Sequence, residues 1–168
     1  MRVVTWNCRR AAAQHPLWDY LIELSPDVAM LQEVGAIPEH LLASFDTRLG
    51  TPRTRGGRPQ RFASALLARG AIGKRVSLNS SHVWVDEQLR YFEGNILSFE
   101  VTLSAQEAIT VVAVYSPTWP VSRSAYATQD VADVKLRQNP DVWVTDVVTF
   151  ALRSSPSGKV KSRVLCKS

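Results

Sequence analysis

Two oxygen-bearing residues near the amino terminus have the types and spacing to do chemistry together. Asn7 closes the apolar run Val3-Val4-Thr5-Trp6-Asn7, and Glu33 closes a second run, Asp27-Val28-Ala29-Met30-Leu31-Gln32-Glu33. One offers an amide carbonyl and the other a carboxylate. That donor pair suits a hard divalent cation, Mg²⁺ or Mn²⁺, which takes oxygen ligands and keeps several waters for a phosphate to displace. Taken singly, Asn7 could equally be the turn residue that ends a strand, and Glu33 a solvated loop carboxylate. Gln32 could brace Glu33, because carboxylate ligands are usually hydrogen-bonded from behind.

The pairing requires that both runs deliver their last residues to one edge. A parallel βαβ unit does this, since strands running the same way end on the same side of the sheet, where ligands bind in open sheets. Between the runs, Leu17, Tyr20, Leu21 and Leu24 recur at helical spacing, with Pro16 at the start and Ser25-Pro26-Asp27 as the stop. Pro38 to Phe45 reads as a second helix through Leu41, Leu42 and Phe45. Gly50 to Gln60 reads as a loop, and Phe62 to Ala68 as a strand.

Beyond it, Val76 to Val85, Arg90 to Leu103 and Ile109 to Ser116 are β-rich runs separated by Asp86-Glu87-Gln88 and Ser104-Ala105-Gln106-Glu107, which predicts an antiparallel meander. Residues 121–139 are a long polar stretch. Pro140 to Arg153 reads as a third helix with Val142, Trp143, Asp146, Val147 and Phe150 on one side. Together these elements predict an α/β domain containing a mixed sheet or two packed sheets.

The chain has 168 residues, 45% of them hydrophobic, which is enough for one domain with a real core. That domain is expected over residues 1–153, followed by a basic, disordered tail over 154–168. No stretch reads as a signal peptide or a membrane span. Cys8 and Cys166 match no zinc or redox spacing, so a reduced cytoplasmic protein is the economical reading, with a Cys8–Cys166 disulfide left open. His15, His40 and His82 read as surface or loop residues.

The net charge of +5 conceals a division. Residues 48–75 carry eight basic side chains and no acid, and 153–168 carry five more, leaving 7 basic and 15 acidic residues elsewhere. Arg53, Arg55, Arg58 and Arg61 are the candidate contacts to phosphate or nucleic acid, since a basic stripe gains affinity for a polyanion by releasing its counterions. The other reading of the segment is a solvated, flexible loop.

Thr5-Trp6-Asn7, Pro26 to Glu33, and Val112-Ala113-Val114-Tyr115-Ser116-Pro117 together resemble, in order and spacing, the endonuclease/exonuclease/phosphatase superfamily of DNase I-like and exonuclease III-like phosphodiesterases. Ser64 to Arg69 is similar to that family's third-strand region, so the resemblance spans residues 1–153. It implies a DNase I-like sandwich of two mixed β-sheets flanked by helices, with a catalytic site on one edge. Asn7 would lie near metal and phosphate, Glu33 would bind the divalent cation, and the Tyr115 hydroxyl would lie near the scissile phosphate. Tyr115 could also be a sheet aromatic with its hydroxyl at the rim. The implied activity is Mg²⁺- or Mn²⁺-dependent hydrolysis of phosphate esters, with nucleic acid favoured by the basic loop.

The family's later Gly-Asp-x-Asn and Ser-Asp-His motifs do not occur here, and Ser81 stands before His82. The chain therefore reads as the amino-terminal part of such a domain, with negligible turnover alone and sheet edges open to self-association, and no obligate protein partner. Alternatives are a non-catalytic nucleic-acid-binding module using residues 48–75, an inositol-phosphate or phospholipid-type phosphatase of the same fold, or a shortened or frameshifted reading frame.

Overall fold

Val3–Asn7 (β1) and Val28–Val34 (β2) pair in parallel, with Val3 opposite Val28 and Asn7 opposite Gln32. The crossover is helix α1, Leu17–Leu24, whose Trp18 and Leu21 are buried; it stops at Ser25, which turns left-handed at φ 46°. Helix α2 (Glu39–Ser44) leads into β3 (Asp46–Gly50), and β4 (Ala63–Ala68) runs antiparallel between β2 and β3. The first sheet is thus mixed, ordered β1-β2-β4-β3. Its central strands are covered on both faces, which is why Val28 to Leu31 and Ser64 to Ala68 read as unbroken small or apolar runs.

A second sheet, antiparallel throughout, comprises β5 (Ala71–Arg75), β6 (Ile96–Ser104) and β7 (Glu107–Val114). Helix α3 (Val83–Tyr91) and helix α4 (Val144–Ser154) pack on its far side. These coordinates, a computed structural model, describe residues 1–104, 107–136 and 139–154, so the tail foreseen over 154–168 lies outside them from residue 155 onward, Cys166 included.

Strand alternation sorts the core into three apolar layers. Val4, Trp6, Ala29, Leu31, Ala65 and Leu67 face α1 and α2. Val28, Met30, Leu66 and Ala68 face the other way, onto Ile72, Leu97, Val101, Val111 and Ala113 of the second sheet. Val112 and Val114 turn outward to Trp84, Val85, Leu89, Val144, Val147 and Val148. Each fully buried Val or Leu contributes about 1.5–3 kcal/mol. Two sheets packed face to face between helices are the architecture that the resemblance implied, except that only the first is mixed and the second is antiparallel throughout. No helix among the described residues is long and apolar enough to cross a membrane.

The meander differs from expectation at its start. Val76 to Val85 is not a strand: residues 76–80 are irregular and α3 begins at Val83. Trp84, Val85, Leu89 and Phe92 are the buried positions, a helical spacing that β-branched Val83 and Val85 disguised. Asp86, taken for a turn, sits inside α3 and accepts the Ser80 N–H at 2.7 Å. β3 was not foreseen either, because Asp46-Thr47-Arg48 carries little apolar signal. α4 starts four residues later than Pro140, where the Asp146 carboxylate accepts the Trp143 N–H at 2.8 Å.

Candidate functional site

Glu33 owes its direction to a β-bulge. Leu31 pairs with Ala65 but Val34 pairs with Ala63, so β2 holds one extra residue at this point. Without it, alternation would aim Glu33 at the helical layer beside Leu31. Glu33 instead takes φ 51°, an expensive conformation for a non-glycine residue, and its carboxylate accepts the Tyr115 hydroxyl at 3.3 Å. Tyr115 follows β7 on the face of Val111 and Ala113, which looks toward the first sheet. The two sheets therefore meet here through one carboxylate and one phenol.

The adjoining turn is held just as tightly. Arg9 and Arg10 have φ 48° and 63°, and the Arg10 N–H donates to the Glu33 carbonyl at 2.6 Å while the Cys8 N–H donates to Gln32 at 2.7 Å. Gly35 closes the other side: a Cβ there would lie 2.5 Å from the Arg10 carbonyl oxygen and 2.7 Å from that of Ala11. Three non-glycine residues in left-handed conformation cost on the order of 1 kcal/mol each, concentrated within one turn of the site.

Asn7 ends β1 exposed, opposite Gln32, and its Oδ1 accepts the Arg9 N–H at 2.9 Å. It is a turn residue and also an oxygen donor one register step from Glu33, since a carbonyl oxygen retains a second lone pair. Gln32 does not brace Glu33. Its amide donates to Thr5 Oγ1 at 3.2 Å and to the Met30 carbonyl at 3.1 Å, back along the strands.

Tyr115 is fixed from behind by Asn95, which is fully buried. The Asn95 carbonyl accepts the Tyr115 N–H at 2.9 Å and its side-chain amide donates to the Tyr115 carbonyl at 3.1 Å. The Tyr115 ring meets Phe62 edge to face at 5.4 Å, and the Arg10 guanidinium sits over Phe62 at 5.5 Å. Burial, then the negative charge and hydrogen bond of Glu33, push the Tyr115 phenol up to about 12, with Arg10 pulling the other way. Burial and Glu33 likewise push the Cys8 thiol up to about 12, which keeps it protonated and inert. Sequence reasoning missed Asn95, Phe62 and Arg10; only Arg10, two residues beyond Cys8, lay close enough in sequence to be suspected.

The basic segment divides into spent and available charges. Arg48 pairs with Asp46, Arg69 binds Pro26 and Ser25, Lys74 lies 3.6 Å from Glu100, and Arg75 contacts Glu93. Residues 51–62 are a hydrogen-bonded excursion between β3 and β4: Arg53 bridges Pro59, the Thr54 N–H donates to Arg58, and the Gln60 N–H donates to Pro52. Arg53 folds back onto the Gly57 carbonyl at 3.1 Å. All four of Arg53, Arg55, Arg58 and Arg61 are exposed, and Arg61 immediately precedes Phe62 at the site. His82 caps no helix with its side chain; it stacks on Phe150 at 5.1 Å, while His15 and His40 are exposed.

Among the described residues no group of three or more His, Cys, Asp or Glu side chains is placed to hold a metal. The available donors are one carboxylate and one amide oxygen, a set that fits a cation retaining most of its waters or sharing a substrate phosphate, and not a closed structural site.

No family model matches the sequence, and no curated protein matches it. Among solved structures, the chain is similar to an endonuclease/exonuclease/phosphatase from Beutenbergia cavernae DSM 12333, at 19% identity and a TM-score of 0.45. The match covers 76% of this chain and 40% of that one, so the chain spans well under two thirds of that structure's length.

Proposed function

We propose that the chain carries the cation- and phosphate-binding half of a phosphodiesterase centre, acting on nucleic acid. The observation behind this reading is the Glu33–Tyr115 contact: a bulge and a strained φ aim a carboxylate at a phenol from the opposite sheet, on the edge where β1 also delivers Asn7. Backbone strain of this kind persists where the surrounding structure enforces it, and it clusters at functional sites.

In phosphodiester hydrolysis water attacks phosphorus, the P–O bond to the leaving alkoxide breaks, and that alkoxide takes up a proton. A divalent cation neutralises the phosphate. Glu33 and Asn7 would hold that cation. The Tyr115 hydroxyl, neutral below its raised pKa and donating to Glu33, would turn its one proton to a phosphate oxygen once a cation occupied that carboxylate. The exposed arginines of residues 53–61 would hold the flanking backbone.

The described residues supply no base to activate the water and no second group for the leaving oxygen. Such groups are each worth orders of magnitude in rate, so this chain alone is expected to show negligible turnover. Incubation with Mg²⁺ or Mn²⁺ and nicked, abasic or plasmid DNA tests this: cleavage abolished by Glu33→Ala would show that the centre is complete. Titration with Mn²⁺ tests the cation assignment, which fails if Glu33→Gln binds the ion as wild type does.

A second reading draws on the ordered, arginine-bearing excursion at 51–62: a nucleic-acid-binding module without chemistry. Salt-dependent DNA binding unchanged by Glu33→Ala and by removal of divalent cations would favour it.

A further inference from the structure

Arg10 occupies a backbone conformation that glycine would adopt at less cost, and it is pinned there by the Glu33 carbonyl on one side and by Gly35 on the other. Retaining a long cationic side chain at such a position calls for a use of the side chain. Its guanidinium lies over the face of buried Phe62, whose edge meets Tyr115, whose hydroxyl meets Glu33. Among the described residues no carboxylate lies within ion-pair distance of it and no side-chain or carbonyl acceptor takes its hydrogens, unlike Arg48, Arg69, Arg75 and Arg123.

We propose that Arg10 is the phosphate-anchoring residue of this site, with its guanidinium held against Phe62 and its donors left open for the non-bridging oxygens of a nucleic-acid phosphate. This rests on the reading of the Glu33 edge as a phosphate-ester site. The cation–π contact with Phe62, 5.5 Å from guanidinium carbon to ring centroid, restrains the Arg10 side chain before the anion arrives, which reduces the side-chain freedom lost on binding. The adjacent Tyr115 hydroxyl, whose one proton is held by Glu33, would reach the same anion only by exchanging that bond, and the Glu33 carboxylate requires a cation between itself and the phosphate. Arg10 thus distinguishes this edge from the exposed arginines at 53–61, which can neutralise a backbone but, among the described residues, have no cation–π ring against them.

The test is fluorescence anisotropy of a fluorescein-labelled single-stranded 15-nucleotide DNA, in Mg²⁺ and in EDTA, across a salt series. Arg10→Gln should weaken binding about tenfold and reduce the salt slope by about 1, and Arg10→Lys should restore the slope but only part of the affinity. Arg10→Gly removes the side chain and relieves the backbone, so it should bind as weakly as Arg10→Gln while melting within about 2 °C of wild type. A merely structural stacking role predicts the opposite split, lower melting with unchanged binding. If wild-type binding depends on Mg²⁺ and Glu33 but Arg10→Gln binds like wild type, the Arg10 assignment is wrong and the site reading stands. If binding ignores Mg²⁺ and Glu33→Gln yet falls with Arg10→Gln, the cation reading fails and Arg10 stands. Absence of any DNA binding overturns both.

Discussion

The two sheets are joined by polar groups at two places, and the places are built differently. At the β3–β5 edge, Asp46 Oδ2 accepts the Ile72 N–H at 2.7 Å, Arg48 donates to the Ile72 carbonyl at 2.6 Å, and Arg48 and Asp46 pair with each other at 2.6 Å. No residue there is left-handed. At the Glu33 edge, among the described residues, a single 3.3 Å bond crosses between the sheets, the backbone is strained at three residues, and Arg10 has no carboxylate partner. The first arrangement consumes its donors and acceptors internally and extends the backbone ladder across a gap. The second holds them open. Groups that satisfy one another stabilise a fold, whereas groups that are positioned at a cost and left unsatisfied are available to a ligand.

The most disruptive way to break this contrast is Gly35→Ala. The added Cβ meets two carbonyl oxygens that cannot rotate away, so the Arg9–Arg10 turn must shift, at about 3 kcal/mol in urea unfolding and with loss of DNA binding. Asp46→Ala should cost about 2 kcal/mol, since it strands the buried Ile72 N–H and unpairs Arg48, yet should leave DNA binding intact. Burial tends to raise the Asp46 carboxyl, but the Ile72 N–H, Arg48 and the Thr47 N–H together hold it below its usual 3.8. Its contribution is therefore present above about pH 4 and lost as pH falls through the lower folded value, so Asp46→Asn should flatten the acid limb of the stability curve.

The alkaline limb reports on the other joint. Tyr115 and Cys8 are both raised to about 12, from 10.0 and 9.0, so the stability they contribute is full below pH 9 and is lost as pH climbs toward 12. Glu33→Gln is the mildest change. It should alter stability by less than about 0.5 kcal/mol, because the amide oxygen still accepts the phenol. Ultraviolet titration should then find the Tyr115 phenol lower than in wild type but still above 10, since burial, its largest cause, remains.

Only one side of this contrast, the Glu33 edge, was legible in the sequence, and then in part. Asn7 and Glu33 could be paired because parallel strands with an apolar crossover helix must end together, and Tyr115 came from the resemblance at residues 112–117, which straddle the end of β7. The bulge could not be read, because one extra residue in β2 leaves the run Val28 to Val34 looking regular. Asn95 and Phe62 escaped notice because a buried amide and a core aromatic carry no chemical signature until their neighbours are known. Arg48 was counted in the basic segment 48–75 by charge alone, although its position opposite Leu66 directs it into the space between the sheets. α3 was misread as strand because Val83 and Val85 weighed more in local propensity than the helical spacing of Trp84, Val85, Leu89 and Phe92.

The most direct test is an amide-resolved NMR titration of the 168-residue chain with Mg²⁺ in the presence of a short DNA strand. The account predicts saturable shifts at residues 7–10, 33–35 and 115, absent in Glu33→Gln, with the Asp46, Arg48 and Ile72 signals unmoved. Equal shifts at both joints, or shifts at the Glu33 edge that persist in Glu33→Gln, would contradict it.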